Sequence, residues 1–533
     1  MNAGRELQLK ALFESATGHC NAGRFEDAKR ECLQLLQAAP QEAPAHGLMG
    51  TIESLTGHWP KAVRALRRAI ELDPVTPAYQ QNLIVAARRI DGLDDVVSVL
   101  EGAIAANPGS LNAYQILGMV HVERHDPAAG ANVIRRALER APSAGWLWGN
   151  LSLFSGLAAR WSEALDQAGR AVAHEPKDVG AHERRAEALS MLGRIDDAIA
   201  EYDACLSLAA PGSKSHQMCS DVRADIMMLS ALRSEEKGLV VSRAPAQSAR
   251  TDGWEERAAA LIRDQLGAMA SRGPHVVLFH LDTDGKHPYF SLTRGIDKTF
   301  DYVAVLTASI RAAIASAPQA SIVLITDETS QVDALAKHCR IVRLPMTADT
   351  IMFTRMRAYR ALALSGVASG PLALLDTDVA LLKDFSTLMD GGVDIALTYR
   401  SRPAFLHMPF NEGVIMARDG AAPVTAEFFN RSLTLYETLA EHPAVRQRYP
   451  FDIRIWRGGQ LSLGAFTGWR SPQAGIETSS FDGIRCRFLP CDVYNYALQP
   501  TDTARLLATK WAVHFKGTSK KMMDQHLRAL HRN

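Results

Sequence analysis

The 533-residue sequence has few cysteines and no long apolar segment. Its seven cysteines are an odd number with scattered spacings, which indicates neither a disulfide framework nor a zinc-binding pattern. The first ten residues lack the apolar core of a signal peptide, and no run of about 18 apolar residues occurs that could span a membrane. These absences predict a cytoplasmic chain without a transmembrane segment, and they leave peripheral membrane contact open.

An excess of one charge sign is also missing, because the formal net charge is +1. We therefore expect no nucleic-acid partner. A hydrophobic content of 47% with 22% charged residues is typical of a folded globular protein. At this length the chain exceeds one ordinary core, so two or more domains are expected.

Prolines recur every 34 residues in the N-terminal half, at Pro40, Pro74, Pro108, Pro142 and Pro176. A small residue or valine stands twelve positions before each of them. Small residues let two helices approach closely, and proline ends the second helix of each pair. The pattern resembles the tetratricopeptide repeat and predicts an α-solenoid of six helical hairpins over residues 5–211.

A further helix is predicted over residues 213–233, where it would cap the open end of the solenoid. Stacked hairpins form a concave groove, so a peptide or protein partner is expected there. The polar stretch from Ser234 to Gly253 predicts the boundary. The expected domains are the solenoid with its cap at 1–235, a linker at 236–252 and a second domain at 253–533.

Strand and helix patterns alternate with short loops in the second half. Such alternation predicts an α/β domain with a mainly parallel, Rossmann-like sheet covered by helices. Ligands of these sheets bind at the carboxyl ends of the strands. Two D-T-D stretches stand at such ends, one with Asp282 and Asp284, the other with Asp376 and Asp378.

Asp376 and Asp378 follow the apolar strand L-A-L-L. Carboxylates one residue apart project to the same side of a strand, and a hard divalent cation prefers that arrangement of oxygens. A solvated acidic turn gives the same pattern. Near the end of the chain, His514 follows another apolar strand, and Gly517 and Lys520 lie in the loop after it. Together these residues are the ingredients of a site where one cation holds a diphosphate.

The motifs occur in an order that resembles a known enzyme family. F-T-R at Phe353 precedes L-D-T-D-V-A-L-L-K-D, then F-N-E-G-V, the glutamine of G-G-Q-L-S-L, the turn L-P-C-D-V-Y-N and H-F-K-G-T-S-K. Residues 274–525 are similar to retaining GT-A glycosyltransferases of the glycogenin and lipopolysaccharide galactosyltransferase type (glycosyltransferase family eight) and to related nucleotide-diphospho-sugar transferases. The resemblance implies a GT-A fold and transfer of a sugar, with retention, from a nucleotide-diphosphate donor to a protein or glycan acceptor that the repeats would recruit.

The resemblance also implies roles for residues that match the motifs. The metal ligands would be Asp376, Asp378 and His514, with Mn²⁺ or Mg²⁺ as the ion. The donor-binding residues would be Asp284, Arg355, Asn411, Gly517 and Lys520, although a structural turn explains Asp284 equally well. Gln460 would line the sugar pocket and, with the two aspartates, belong to the catalytic set.

Three positions depart from the family pattern. The aspartate that usually precedes the pocket glutamine is Gly459 here, and the small residue of F-N-x-G is Glu412. Glu412 either replaces the missing carboxylate, and so joins the catalytic set, or points to solvent. Lys521 and Met522 replace the usual Pro-Trp after the closing lysine. These changes bear on sugar identity and activity rather than on metal binding.

Two other interpretations fit part of the pattern. A non-catalytic adaptor that carries a degenerate transferase domain would explain Gly459, although it gives no reason to keep two aspartates, a histidine and a lysine together. In a haloacid-dehalogenase-type phosphatase, Asp376 would be the nucleophile and Asp378 a general acid. The paired-acid motif that this phosphatase fold needs later in the chain does not occur after Asp378.

Overall fold

In the computed structural model of this chain, the described residues are 2–90, 92–234, 252–267, 273–282, 301–400, 402–470, 472, 474–499, 502 and 504–530. Two compact units are present, one of Met1–Leu192 with Ala200–Ser215 and another of Gly193–Ile199 with His216–Asn533. Asp284 and nearly all of the predicted linker lie outside the described residues. No helix within the described ranges is long and apolar enough to cross a membrane.

The N-terminal half consists of consecutive helices that pack in pairs. They are Asn2–Asn21, Phe25–Ala38, Ala43–Leu55, Trp59–Leu72, Pro77–Arg88, Leu93–Ala106, Leu111–Glu123, Pro127–Leu138, Gly145–Leu157, Trp161–His174, Val179–Met191 and Ile195–Leu208. The second helix of each pair starts 34 residues after the last, as from Phe25 to Trp59. Each recurring proline lies in the connection between one pair and the next. The predicted array is therefore confirmed: this half is a tetratricopeptide-like helical repeat array.

The small residues of the repeat pattern lie where paired helices touch. Ala28, Ala62 and Ala198 are fully buried. At Gly130 a Cβ would lie 2.8 Å from the carbonyl oxygen of Gly118, which is closer than real Cβ contacts. The 34-residue pattern thus reflects close helix packing, as the sequence predicts.

The helix Lys214–Ser234 was expected to cap the array, but from His216 onward it belongs to the second unit. Its buried Asp225 accepts a hydrogen bond of 2.7 Å from Arg448 Nε and one of 3.3 Å from the Tyr449 hydroxyl. A carboxylate buried in this way needs such partners, and they come from the second unit. The fit of this helix to the sheet domain follows from those contacts.

The second unit contains a large sheet and a small one. Its strands are β1 (His275–Phe279), β2 (Ser321–Asp327), β3 (Arg340–Leu344), β4 (Leu372–Leu375), β5 (Val379–Leu381), β6 (Ile395–Tyr399), β7 (Phe410–Ala417), β8 (Glu477–Phe481), β9 (Ile484–Pro490), β10 (Tyr496–Ala497) and β11 (Ala512–His514). Among the described residues the large sheet has eight strands in the order β3-β2-β1-β4-β7-β6-β9-β8. The small sheet has the order β10-β11-β5.

The large sheet is mixed, whereas the sequence predicts a mainly parallel one. Strands β3, β2, β1 and β4 are parallel, as expected for a Rossmann-like half. Strand β7 runs antiparallel to both β4 and β6, and β8 runs antiparallel to β9. The connection from β6 to β7 is too short to hold the crossover that a parallel pair requires, so these two strands pair in antiparallel fashion.

Helices of the second unit flank these sheets. They are Trp254–Leu266, Tyr302–Ser316, Ile351–Ser365, Pro423–Glu441, Pro443–Arg448, Gly458–Phe466, Cys491–Tyr494, Ala504–Leu507 and Met523–Leu530. The central strands are buried along their whole length, including all five residues of β1 and all eight of β7. An apolar core between helices and sheet therefore fixes the strand ends at which the polar motifs lie.

Candidate metal centre

Asp376 and Asp378 lie in the tight turn between β4 and β5. The amide of Val379 donates to the carbonyl of Asp376 at 3.1 Å, which closes the turn. The hydroxyl of Ser309, from the helix Tyr302–Ser316, lies 2.7 Å from the carbonyl oxygen of Thr377 and 2.8 Å from that of Val379. The turn is thus held from the sheet and from a neighbouring helix, so both carboxylates are placed by rigid elements.

His514 joins these aspartates because β11 pairs with β5, with His514 opposite Val379. Its Nε2 lies 3.1 Å from Asp378 Oδ1 and 3.8 Å from Asp376 Oδ2. One ligand atom from each of the three residues lies within 4.8 Å of the others. The three side chains that the sequence singles out as metal ligands therefore meet at one point.

The imidazole of His514 is oriented by a chain of hydrogen bonds. The hydroxyl of Thr398 donates to the carbonyl of Asn411 at 2.9 Å, and it accepts from Asn495 Nδ2 at 3.1 Å. Asn495 Oδ1 then faces His514 Nδ1 at 3.1 Å, which places a proton on Nδ1. Nε2 consequently faces the carboxylates and is the nitrogen whose lone pair the neutral imidazole would offer to a metal ion.

Lys520 provides positive charge at the same point. Its Nζ lies 2.9 Å from Asp378 Oδ2, and both side chains are about nine-tenths buried. Burial acts to raise the pKa of Asp378, but its interactions with His514 and Lys520 outweigh burial and hold that pKa well below its usual range. Asp378 is therefore a carboxylate, the form that binds a cation.

Arg355 lies between two carboxylates. It forms an ion pair with Asp376 through Nη1 and another of 2.9 Å with Glu412 Oε2 through Nη2. Arg355 is 4% exposed and Glu412 is 2% exposed. Burial raises the pKa of Glu412, although the nearby guanidinium opposes this. Through Arg355, Glu412 influences the orientation of Asp376.

The position of Glu412 answers the question that the sequence left open. The register of β7 against β6 shifts between Leu397 and Thr398, and the resulting bulge carries Glu412. Its carboxylate does not point to solvent but lies against the backbone of Gly459, where a Cβ would be 1.8 Å from Glu412 Oε2. The Glu412 carboxylate thus fills the volume that a side chain at position 459 would occupy.

Asn411, Gln460 and Gly517, the other predicted site residues, differ in what they contact. Asn411 is buried, and its Oδ1 accepts from the amide of Gly413 at 3.0 Å, so this side chain supports the bulge. Gln460 Oε1 accepts from Arg400 Nη1 at 2.9 Å. Gly517 begins the short helical turn Gly517–Met522 with a φ of +55°, which favours glycine.

At the first D-T-D stretch only Asp282 is described. Its backbone amide donates to the hydroxyl of Ser330 at 2.8 Å, and its Oδ2 accepts from the amide of Gln331 at 3.1 Å. His280 Nε2 lies 2.9 Å from the other oxygen of Asp282. These contacts fit a structural turn that ties the end of β1 to the loop after β2.

Sequence reasoning missed Arg400 and Asn495 as site residues. Arg400 directly follows the buried strand β6, so a charged residue at the end of an apolar run was an available signal. Asn495 ends the turn after β9, and its contact with His514 depends on a pairing 19 residues away. The turn motif L-P-C-D-V-Y-N ends at Asn495, but no local pattern identifies His514 as its partner.

No protein-family model matches the chain, and no curated protein sequence matches it. A tetratricopeptide repeat protein from Parabacteroides merdae is 13% identical and covers 44% of this chain and 94% of its own, with a TM-score of 0.32. The structure of Pseudomonas aeruginosa pilF is 16% identical and covers 40% of this chain and 97% of its own, with a TM-score of 0.30. YrrB, a repeat protein with an unusual peptide-binding site, is 14% identical and covers 36% of this chain and 97% of its own, with a TM-score of 0.27. Likenesses this weak carry no functional argument.

Proposed function

We propose that this protein is a metal-dependent glycosyltransferase that moves a sugar, with retention, from a nucleotide-diphosphate donor to a protein or glycan acceptor. The observation that carries the proposal is the meeting of Asp376, Asp378 and His514 beside Lys520. Two carboxylates and an imidazole with its lone pair directed inward fit Mn²⁺ or Mg²⁺, and the imidazole favours Mn²⁺. A lysine at the same point fits a phosphate-bearing ligand.

In this proposal the three ligands hold the ion, which as a Lewis acid would polarise the diphosphate when bound. Lys520 reaches the diphosphate with its ammonium, and the backbone around Gly517 offers amide donors. Negative charge grows on the diphosphate as the sugar departs, so these donors stabilise the transition state more than the ground state.

The residues around Asp376 have positioning roles. Arg355 holds the carboxylate of Asp376, and Glu412 holds Arg355. Gln460 and Arg400 form the neighbouring wall, where the sugar of the donor would lie. Asn411 acts on the backbone bulge that carries Glu412 rather than on the sugar.

The repeat array would bind the acceptor. Its stacked helices offer a concave groove of the kind that binds extended peptides or protein surfaces. A protein acceptor, or a protein that carries a glycan, would be recruited there.

A donor screen tests the proposal. Full-length protein with Mn²⁺ is incubated with each nucleotide sugar in turn, and release of free nucleoside diphosphate is measured. We expect turnover of one donor class, and we expect both EDTA and the Asp378→Asn substitution to abolish it. The Asp384→Asn variant, in which an exposed aspartate outside the centre is changed, should retain this turnover. Absence of turnover with every donor, together with no binding of Mn²⁺ and nucleoside diphosphate, would support the adaptor interpretation instead.

A further inference from the structure

Arg400 is a cation beside the candidate metal centre that pairs with no carboxylate in the described part of the chain. It follows β6, and its Nη1 donates to Gln460 Oε1 at 2.9 Å. Its guanidinium lies 4.6 Å from the centre of the Phe405 ring. Burial lowers the pKa of Arg400, while the charge of Glu412 acts to raise it and that of Arg457 to lower it further. A guanidinium that contacts only a neutral amide and an aromatic ring keeps hydrogen-bond donors and positive charge with which it can bind an anion.

Lys516 is a second cation on the same side. It follows β11 by two residues, and within the described ranges no carboxylate pairs with its ammonium. Strand β6 is parallel to β9 with Tyr399 opposite Pro490, so Arg400 and Cys491 leave neighbouring strands at the same edge. The helix Cys491–Tyr494 is tied to the chain that enters β11, because the amide of Trp511 donates to the carbonyl of Val493 at 2.8 Å. Burial raises the pKa of Cys491, and the charges of Arg400 and Lys516 oppose this.

The charge balance of the site points to an additional anion. Among the described residues the site has three carboxylates, Asp376, Asp378 and Glu412. It has four cations, Arg355, Arg400, Lys516 and Lys520. A divalent ion and the diphosphate of a donor offset each other in charge, so one positive charge remains, and an uncompensated charge in a partly buried site is unfavourable. Arg355 and Lys520 share the three carboxylates as ion-pair partners, whereas Arg400 and Lys516 have no carboxylate within ion-pair distance among the described residues.

We propose that Arg400 and Lys516 form an anion subsite that binds a carboxylate on the sugar, so that the protein acts on an acidic sugar. This inference rests on the proposed function and specifies its substrate class. The planar guanidinium of Arg400 suits two-point binding of a carboxylate. The amide of Gln460, which contacts Arg400, would bind a neighbouring hydroxyl of the same ring. The carboxylate belongs to the sugar of the donor or to that of the acceptor.

Binding of matched donors distinguishes these sources. Calorimetry on the full-length protein with Mn²⁺ compares UDP, UDP-glucose and UDP-glucuronic acid, and the corresponding GDP, GDP-mannose and GDP-mannuronic acid. A hydrogen-bonded charge pair predicts about tenfold tighter binding of the acidic donor, a preference that Arg400→Gln removes and Arg400→Lys keeps in part. Lys516→Gln, at an accessible position, is expected to weaken the same preference. Arg418→Gln, which alters an exposed arginine paired with Asp394, is the matched control.

Transfer to 4-nitrophenyl glucuronide and to 4-nitrophenyl glucoside gives the acceptor arm. A preference for the acidic compound that Arg400→Gln removes supports the subsite in either arm, and the arm in which it appears identifies the sugar. No preference in both arms, or one that Arg400→Gln leaves intact, would overturn the inference. So would a loss of UDP affinity in Arg400→Gln as large as the loss for the acidic donor, because Arg400 would then serve the diphosphate. If no nucleotide binds and no donor turns over, the proposed function itself fails, and the inference with it.

Discussion

The carboxylate of Glu412 fills the space that a side chain at Gly459 would need. A Cβ on residue 459 would lie 1.8 Å from Glu412 Oε2, far inside van der Waals contact. The carboxylate cannot withdraw easily, because it is 2% exposed and pairs with Arg355. Residues 412 and 459, at which the sequence departs from the pattern that it resembles, therefore depend on each other for the same volume.

Substitution of Gly459 by aspartate should consequently be damaging alone and tolerated with Glu412→Gly. The single change overpacks the site and brings two carboxylates together, which we expect to lower the free energy of unfolding by about 1–3 kcal/mol. The double variant removes the collision and leaves one carboxylate for Arg355. Thermal unfolding of both variants measures the coupling. Additive losses would show that the two positions do not share space.

Local periodicity explains why so much of the repeat array could be predicted from sequence. Each hairpin repeats the same short-range pattern, so the spacing of Pro40 and Pro74 already defines a unit. The residues of the candidate metal centre, Asp376, Asp378 and His514, could be singled out because they lie at strand ends. The antiparallel course of β7, the bulge that carries Glu412 and the link from Asn495 to His514 depend on tertiary contacts. No single stretch of sequence encodes those contacts.

Asp378 should be required for metal binding. In the Asp378→Asn variant a neutral amide replaces the anion that faces Lys520 and His514, so affinity for Mn²⁺ should fall sharply. Wild-type protein with Mn²⁺ at about a hundred times its dissociation constant should gain about 3 kcal/mol of stability, and the variant should gain none. Thermal unfolding with and without Mn²⁺ measures this.

Asp378 does not lie in a solvated acidic turn, because it is 7% exposed and contacts Lys520 and His514. The metal-free variant should therefore be less stable than the metal-free wild type, by about 1–3 kcal/mol, because Lys520 loses its anionic partner. Asp384→Asn is the control for the substitution itself. A Mn²⁺ stabilisation that survives in Asp378→Asn would remove Asp378 from the ligand set.

Lys520 and Lys521 are neighbours that should differ in function. Lys520 Nζ contacts Asp378 and its side chain is 9% exposed, whereas Lys521 is exposed. Loss of an ammonium placed where charge develops should reduce kcat/KM of Lys520→Ala by about 10²–10³-fold, while Lys521→Ala should change little. Steady-state kinetics with the donor identified in the screen makes the comparison. Equal, small effects in both variants would place this loop outside the site.

His407 should make the second unit sensitive to mild acid. The imidazole is 2% exposed and lies 3.8 Å from Asp225 Oδ1. Burial lowers the pKa of His407 to about 4, and the attraction of Asp225 is opposed by nearby arginines. In the unfolded chain a histidine titrates near its ordinary value of 6.5. Between those two values, the unfolded state binds a proton that the folded state does not.

The sign of the effect follows from this difference. Above pH 6.5 the imidazole is neutral in both states and contributes no pH dependence; as the pH falls from 6.5 towards 4, stability is lost, and below 4 the loss is complete. Between pH 7.5 and 5 the loss from His407 should be about 2 kcal/mol. Urea unfolding of the full-length protein at these two pH values should show a smaller loss in His407→Gln, whereas His338→Gln, at a half-buried histidine, should behave as wild type. If the acid sensitivity of His407→Gln equals that of the wild type, His407 does not carry it, and the imidazole must be protonated against Asp225 in the folded protein already.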